Sequence, residues 1–406
     1  MKISEFKKAG HWPTLFSAFL YFDFSFMVWV MLGALGVFLA ADLQLEPGQK
    51  ALLVALPLLS GAAFRVVLGS LVDSKGPRKA ALMGLCLTAL PLLMGWFAPH
   101  TYAAFLVVGV LLGIAGASFA AALPLAGRWY PPQFQGLALG IAGAGNSGTV
   151  LAAFFAPRAA QWLGWQNVFG LLLLPWAAVL VVFLLMSKEP PAPKAQLGEK
   201  KAELAAMLRE STTWKFCGRY ALTFGGFVGL ASFLPIFLHD QYGMDKMKAA
   251  NLTALCVMGG SFLRPLGGSL ADRFGGEKVL MMVFSAIASL SLAAALLPSL
   301  LVAGVVLVAL LSCLGLGNGA LFQLVPQTFG QVRLGRITGL MGAAGGLGGF
   351  CLPMLLGNLK GSTGSFGWGF GVWAGLAALA TLASALRLLR QPSAAGLGSM
   401  AGGEEA

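Results

Sequence analysis

The sequence predicts an all-α membrane protein of twelve transmembrane helices in two pseudo-symmetric six-helix bundles. Three observations predict it. The 406 residues are 58% hydrophobic and only 10% charged, with a mean hydropathy of +0.81, which is too apolar for a soluble domain of this size. The apolar stretches divide at loop signals into twelve segments, each long enough to cross a hydrocarbon core about 30 Å thick. The second six segments also repeat landmarks of the first.

In order, the segments fall at about 13–40, 48–72, 79–98, 102–127, 135–157, 166–187, 214–238, 249–271, 278–297, 299–326, 336–357 and 367–389. The first follows MKISEFKKAG. It is too long for the apolar region of a signal peptide and lacks a small-residue cleavage site, so it is expected to be retained. Pro, Gly and charge clusters separate the others. One long polar stretch, 188–213, begins Pro-rich and turns into a short amphipathic pattern. It reads as a cytoplasmic linker between an N-terminal bundle, 1–187, and a C-terminal bundle, 214–406, that ends in a short tail. Lys and Arg concentrate at the termini, in the linker and in the loops holding Arg78, Arg128, Lys278 and Arg336, while the other side receives Lys50, Arg158, Lys246, Lys248 and Lys360. The positive-inside rule then puts both termini in the cytoplasm.

The net charge of +12 is accounted for by these loops. Nucleic-acid binding would need a soluble basic face, and none is visible. The five cysteines lie in or beside apolar runs without close pairs and read as packing residues. The three histidines are scattered near loops, so no metal site is expected. No cofactor motif and no nucleophile–base pair is visible, which argues against an enzyme. The chain is expected to act as a monomer surrounded by lipid.

The repeat is explicit. GAAFRVVLGSLVDSKGPRK (61–79) aligns with GSFLRPLGGSLADRFGGEK (260–278) at an offset of 199. GIAGASFAAALP (113–124) aligns with GLGNGALFQLVP (315–326), and GAGNSG (143–148) with AAGGLG (343–348). Gly76 allows a tight turn after the second segment. Asp73 can pair with cations or cap helix ends and so lock one conformation, and Asp272 is its repeat. This twice-occurring tract resembles the loop signature of the major facilitator superfamily, which implies a gating role for Asp73, Arg78 and Asp272. Parallel six-helix repeats place a substrate site at the midplane between the halves.

Arg65 and Arg264 each precede a loop aspartate by eight residues, which sets them roughly 12 Å below the membrane edge. A guanidinium at such depth costs at least about 2.5–3.5 kcal/mol and keeps its proton. Of the fifteen acidic residues only Asp23 lies far inside a segment, so one carboxylate cannot neutralise both. A planar fork of donors suits a planar oxyanion such as nitrate, nitrite or a carboxylate. Asp23 reads either as a counter-ion or packing hydrogen bond, or as a proton carrier. The glycine-rich fifth and eleventh segments, with Gly143, Gly145, Gly345 and Gly348, read either as small-residue packing or as close-approach surfaces that slide during a rocking motion. Asn146 offers an amide within the first tract.

The glycine tracts, the deep arginines, FAAALPLAGRWYPP and GNGALFQLVPQTFG together resemble the nitrate/nitrite porter family of the major facilitator superfamily. The resemblance covers nearly the whole chain. It implies alternating-access transport of nitrate and nitrite, with Arg65 and Arg264 binding the anion, Phe119 and Phe224 flanking it, and Tyr220 and Asn146 nearby. On their own the two phenylalanines read as core packing. The match is closest to the branch with an FD-x-SF-x-VW first helix, which implies nitrate–proton symport through Asp23. Nitrate/nitrite antiport or nitrite export is the alternative, and a small-organic-anion exchanger is a more distant one. The second glycine tract carries no hydroxyl after Thr338, a departure from the family pattern.

Overall fold

The computed structural model describes residues 3–191 and 206–390, with backbone alone for residues 3, 4, 132, 133, 330–332, 334, 335 and 390. Every regular element among them is helical. Ten helices are long and apolar enough to cross a membrane: Pro47–Lys75, Pro77–Phe97, Tyr102–Gly127, Phe134–Leu163, Trp165–Met186, Ser211–Tyr242, Gly276–Ala295, Leu300–Phe329, Arg336–Thr363 and Gly367–Leu389. The first and eighth spans complete the twelve, and both are interrupted. The first runs as Trp12–Trp29, Met31–Ala34 and Gly36–Asp42; the eighth runs as Lys246–Phe262 and Arg264–Phe274, parted at Leu263. The sequence predicted the eighth as one unbroken helix. Most of the predicted linker helix and the whole tail after residue 390 lie outside the described residues; only 206–209 are seen, as one helical turn.

The turn glycines of the repeated loop behave alike. Gly76 and Gly275 both adopt φ +87°, a conformation that L side chains rarely take. Each ends one span and opens the next, because the Cβ-free backbone reverses direction there without a connecting loop.

A second departure concerns the tenth and eleventh spans, predicted as separate helices. Both lie in one stretch of helical backbone, Leu300–Thr363. A straight helix of that length would reach roughly 96 Å, about three bilayer cores. The chain instead folds back on itself: Gly317 packs beside Thr223 and Gly348 beside Ala221, so both arms meet the same turn of the seventh span.

The seventh span is the most enclosed, with every residue from Gly226 to Leu238 buried. The first span is comparably buried around Tyr21, Phe22, Phe26 and Trp29. These two helices form the centre, one from each bundle. At the end remote from the repeated loops the bundles are clasped. Lys50 donates to Asp240 at 2.6 Å, Arg158 donates to Asn251 at 2.8 Å, and a Cβ on Gly357 would overlap Ala51. On the repeated-loop side, Cβ atoms on Gly69, Gly136, Gly140 and Gly339 would meet nothing within 4 Å.

Within the C-terminal bundle a charge cluster fixes the foot of the seventh span. Arg219 grips Glu277 with both terminal nitrogens, at 2.8 and 2.9 Å, and also donates to Ser384 at 3.1 Å. Arg387 adds a bond to Glu277 at 3.1 Å. Arg219 is only 6% exposed, so removing its partner strands a buried cation. Glu277→Ala is expected to cost about 3–5 kcal/mol, read as a large fall in melting temperature of the purified protein. Lys50→Ala, at a more accessible pair, should cost less than about 1 kcal/mol; equal melting shifts would refute this ranking.

Candidate functional site

Arg65 stands in the middle of helix Pro47–Lys75 and is 4% exposed. Its Nε donates to the carbonyl of Gly116 at 3.0 Å. Its Nη1 donates to the carbonyl of Gly342, on the eleventh span of the opposite bundle. Its Cζ lies 5.1 Å from the Trp29 ring and 5.6 Å from both Phe119 and Phe224, within cation–π range. Trp29 is held in place by its own indole N–H, which donates to Pro57 O at 2.7 Å. Glycine at 61 and 116 makes room for that ring, since a Cβ on Gly61 would stand 2.8 Å from the indole nitrogen.

Arg264 occupies the first position after the break at Leu263. Its Cζ lies 5.1 Å from Phe227 and 5.5 Å from Phe224. One ring, Phe224, is therefore shared by two guanidinium groups, one from each bundle. Arg264 Nε and Nη2 and Arg65 Nη2 are buried with no hydrogen-bond partner among the described residues. Neither arginine forms an ion pair with a described residue. Unpaired charged donors of this kind are costly to bury, so the arrangement favours an anion between them.

The seventh span widens at this point. Ala221–Gly225 is a single π turn, a distortion common at functional sites. Tyr220 and Phe224 stack face to face across it, with centroids 5.0 Å apart and planes 1° from parallel, and Tyr220 interacts electrostatically with both arginines. Gly345 makes the stack possible from the eleventh span, where a Cβ would lie 2.7 Å from Phe224 and 2.9 Å from Tyr220. Gly348 packs on the Ala221 backbone, and Gly342 and Gly346 face Arg65 and Ala62 of the other bundle. The second glycine tract thus serves two surfaces at once. In the first tract Gly145 packs against Phe22, while a Cβ on Gly143 would meet nothing within 4 Å.

Asn146 is buried in a 3₁₀ turn, Ala144–Ser147. Its Nδ2 donates to Gly143 O at 3.0 Å, and its Oδ1 is buried without a partner among the described residues. One of its two amide hydrogens is therefore committed to its own turn. Asp23 accepts from Ser147 Oγ at 2.6 Å and from the Gly148 backbone N–H. It is not the counter-ion of either arginine, as one sequence reading had it. The fifth-span 3₁₀ turn supplies donors to the carboxylate from within the same bundle.

Arg78 and Asp272 bond within their own bundles. Arg78 Nε donates to Ser187 O at 2.9 Å and Ser187 Oγ at 3.0 Å. Asp272 accepts from Gln323 at 2.8 Å. Asp73 interacts electrostatically with Arg128, whose pKa is lowered by burial and partly restored by Asp73 and Glu189.

Sequence reasoning passed over Trp29, Phe26, Phe227 and Phe322. A signal for three of them was present: Phe22, Phe26 and Trp29 repeat as Tyr220, Phe224 and Phe227 at an offset of 198. The packing repeats too. Phe119 sits 5.7 Å from Phe22, and Phe322 sits 5.3 Å from Tyr220.

Residues 16–351 match the family model described as Major Facilitator Superfamily. The "Probable nitrate/nitrite transporter NarK2" of Mycobacterium tuberculosis is 34% identical over 82% of this chain and 85% of its own length. The "Nitrite extrusion protein" of Bacillus subtilis is 32% identical over 85% and 86%. The "Probable nitrate/nitrite antiporter NarK1" of Thermus thermophilus is 32% identical over 92% and 91%. Among solved structures, a D-xylose-proton symporter superposes with a TM-score of 0.71 over 91% of this chain and 95% of that one, at 16% identity, a likeness of fold alone. With its two bundles, paired loop signatures and these relatives, the chain belongs to the nitrate/nitrite porter family of the Major Facilitator Superfamily, and it is a membrane transporter rather than an enzyme.

Proposed function

We propose that this chain carries nitrate across the cytoplasmic membrane by alternating access, with both termini in the cytoplasm and the halves 1–187 and 214–406 rocking about a central site. The observation that carries this reading is the pair of buried guanidinium groups, one per half, that share the Phe224 ring and leave three donor nitrogens unpartnered. A flat monovalent oxyanion fits such a place. Arg65 and Arg264 supply forked donors at its edge, Phe119 and Phe224 flank its plane, and Tyr220 and the second amide hydrogen of Asn146 complete the polar lining. The relatives' names point to nitrate and nitrite.

Binding and motion are linked by charge. Two cations facing each other resist approach, and an anion between them removes that resistance. The anion also competes with the Gly342 carbonyl for Arg65, so its arrival exchanges one tie between the halves for another. The clasp of Lys50 with Asp240 holds the outer end shut while the cytoplasmic side admits or releases the ion. The glycine tracts allow the sliding, and the contacts of Asp73, Arg78 and Asp272 steady each half as it moves.

We assign proton coupling to Asp23. Its carboxylate is held by Ser147 rather than by an arginine, so protonation breaks no ion pair. Symport would let a negative interior accept an anion. Exchange of nitrate for nitrite is the second reading, favoured by the Thermus relative named as an antiporter; a doubly cationic site needs no proton to swap one monovalent anion for another.

Two expected outcomes test this. Arg65→Lys and Arg264→Lys each keep the charge and lose the fork, so each should weaken nitrate binding by at least about tenfold, measured by titration of the purified protein; wild-type affinity in both would sink the forked assignment. In proteoliposomes, Asp23→Asn should abolish uptake driven by a pH gradient while leaving nitrate–nitrite counterflow intact. Unchanged gradient-driven uptake in that variant removes the symport reading and leaves exchange.

A further inference from the structure

The two arginines are not equivalently served. In the first half the Gly116 carbonyl takes Arg65 Nε at 3.0 Å. The repeat that aligns 113–124 with 315–326 pairs Gly116 with Asn318. Asn318 is 0% exposed, and both polar atoms of its amide are buried without a hydrogen-bond partner among the described residues. A buried primary amide with neither end satisfied is rare in a folded protein and calls for an explanation.

Its surroundings supply one. The tenth span is pressed between the seventh and eighth. A Cβ on Gly317 would lie 2.8 Å from Thr223, and one on Gly319 would overlap the Arg264 carbonyl. On the face that Asn318 shares at four-residue spacing, Leu314 packs on Gly226 and Phe322 meets Tyr220 at 5.3 Å. Asn318 therefore lies on the face toward the seventh span, one turn from the ring that meets Tyr220, and its neighbour Gly319 packs on the backbone of Arg264, whose own Nε and Nη2 are unpartnered among the described residues.

We propose that Asn318 is a further ligand of the transported anion, beside Arg65, Arg264, Tyr220 and Asn146, and that it selects nitrate over nitrite; this rests on the nitrate reading above. A trigonal oxyanion presents three oxygens. The two guanidinium forks account for two of them, and the Asn318 N–H takes the third, which nitrite lacks. The amide oxygen is then free to accept from Arg264 and steady it. A site built to hydrogen-bond one extra oxygen discriminates through the donor left unmet when that oxygen is missing.

The test uses the purified full-length protein titrated with sodium nitrate and, separately, sodium nitrite. Asn318→Ala is expected to weaken nitrate binding about tenfold or more and nitrite binding by less than about threefold. Asn318→Asp keeps the size and replaces the donor with an acceptor of negative charge; it should bind neither anion, and it serves if the alanine variant does not purify. Unchanged nitrate affinity in Asn318→Ala, an equal loss for both anions, or wild-type binding in Asn318→Asp overturns the assignment alone. A wild-type protein that binds neither anion overturns the nitrate reading itself and this assignment with it.

Discussion

The rest of the structure depends on two permanent positive charges in an apolar interior that form no ion pair with any carboxylate among the described residues. Arginine cannot escape the cost by releasing its proton, so the surroundings must offset it. For Arg65 they do so with two backbone carbonyls and three aromatic faces. A cation–π contact contributes about 0.5–2 kcal/mol and a hydrogen bond to a charged group about 1.5–3 kcal/mol. Those sums rival the cost of burial without any negative charge. Arg264 has two ring contacts and two unpartnered nitrogens, so its account is not closed by the protein alone. The imbalance leaves more unmet hydrogen-bonding capacity on the arginine of the second half.

Duplication built this place, and departures from duplication give it direction. The aromatic series of the first span recurs in the seventh, and both arginines follow from the same repeat. Where the copies differ, the chemistry differs. Asp23 has Ala221 as its counterpart at the same offset of 198, so a carboxylate appears in only one half. The seventh span takes a π turn at Ala221–Gly225, opposite an unbroken stretch of the first, and the first is interrupted at Val30 and Leu35, opposite unbroken helix in the seventh. The copies thus share a scaffold of arginine and rings while each keeps polar groups the other lacks.

Much of this was legible in the sequence because membrane burial makes polar residues conspicuous. The depth of Arg65 and Arg264 followed from counting residues to the loop aspartates, and the turn glycines from the repeat. Tyr220 and Phe224 were placed together by their four-residue spacing, which the π turn converts into a parallel stack. What stayed hidden depended on relations that spacing does not encode. The repeated aromatic series marks Trp29 and Phe227 as a pair, but that each ring lies against an arginine depends on how the helices pack. In the sequence Asp23 reads as a counter-ion, a packing hydrogen bond or a proton carrier, and only the fold shows that a 3₁₀ turn in the fifth span supplies its partner. The break at Leu263 has Pro265 just beyond it, a residue that removes a backbone donor, but such prolines also sit inside unbroken spans here, as Pro57 does.

The bond from Arg65 to Gly342 joins the halves through a main-chain oxygen. No change of side chain at position 342 can delete that acceptor; only movement of the helix or loss of the arginine can. Neighbouring rings and amides can therefore drift over evolutionary time, retuning which ion is preferred, while the mechanical coupling between the two halves is inherited intact.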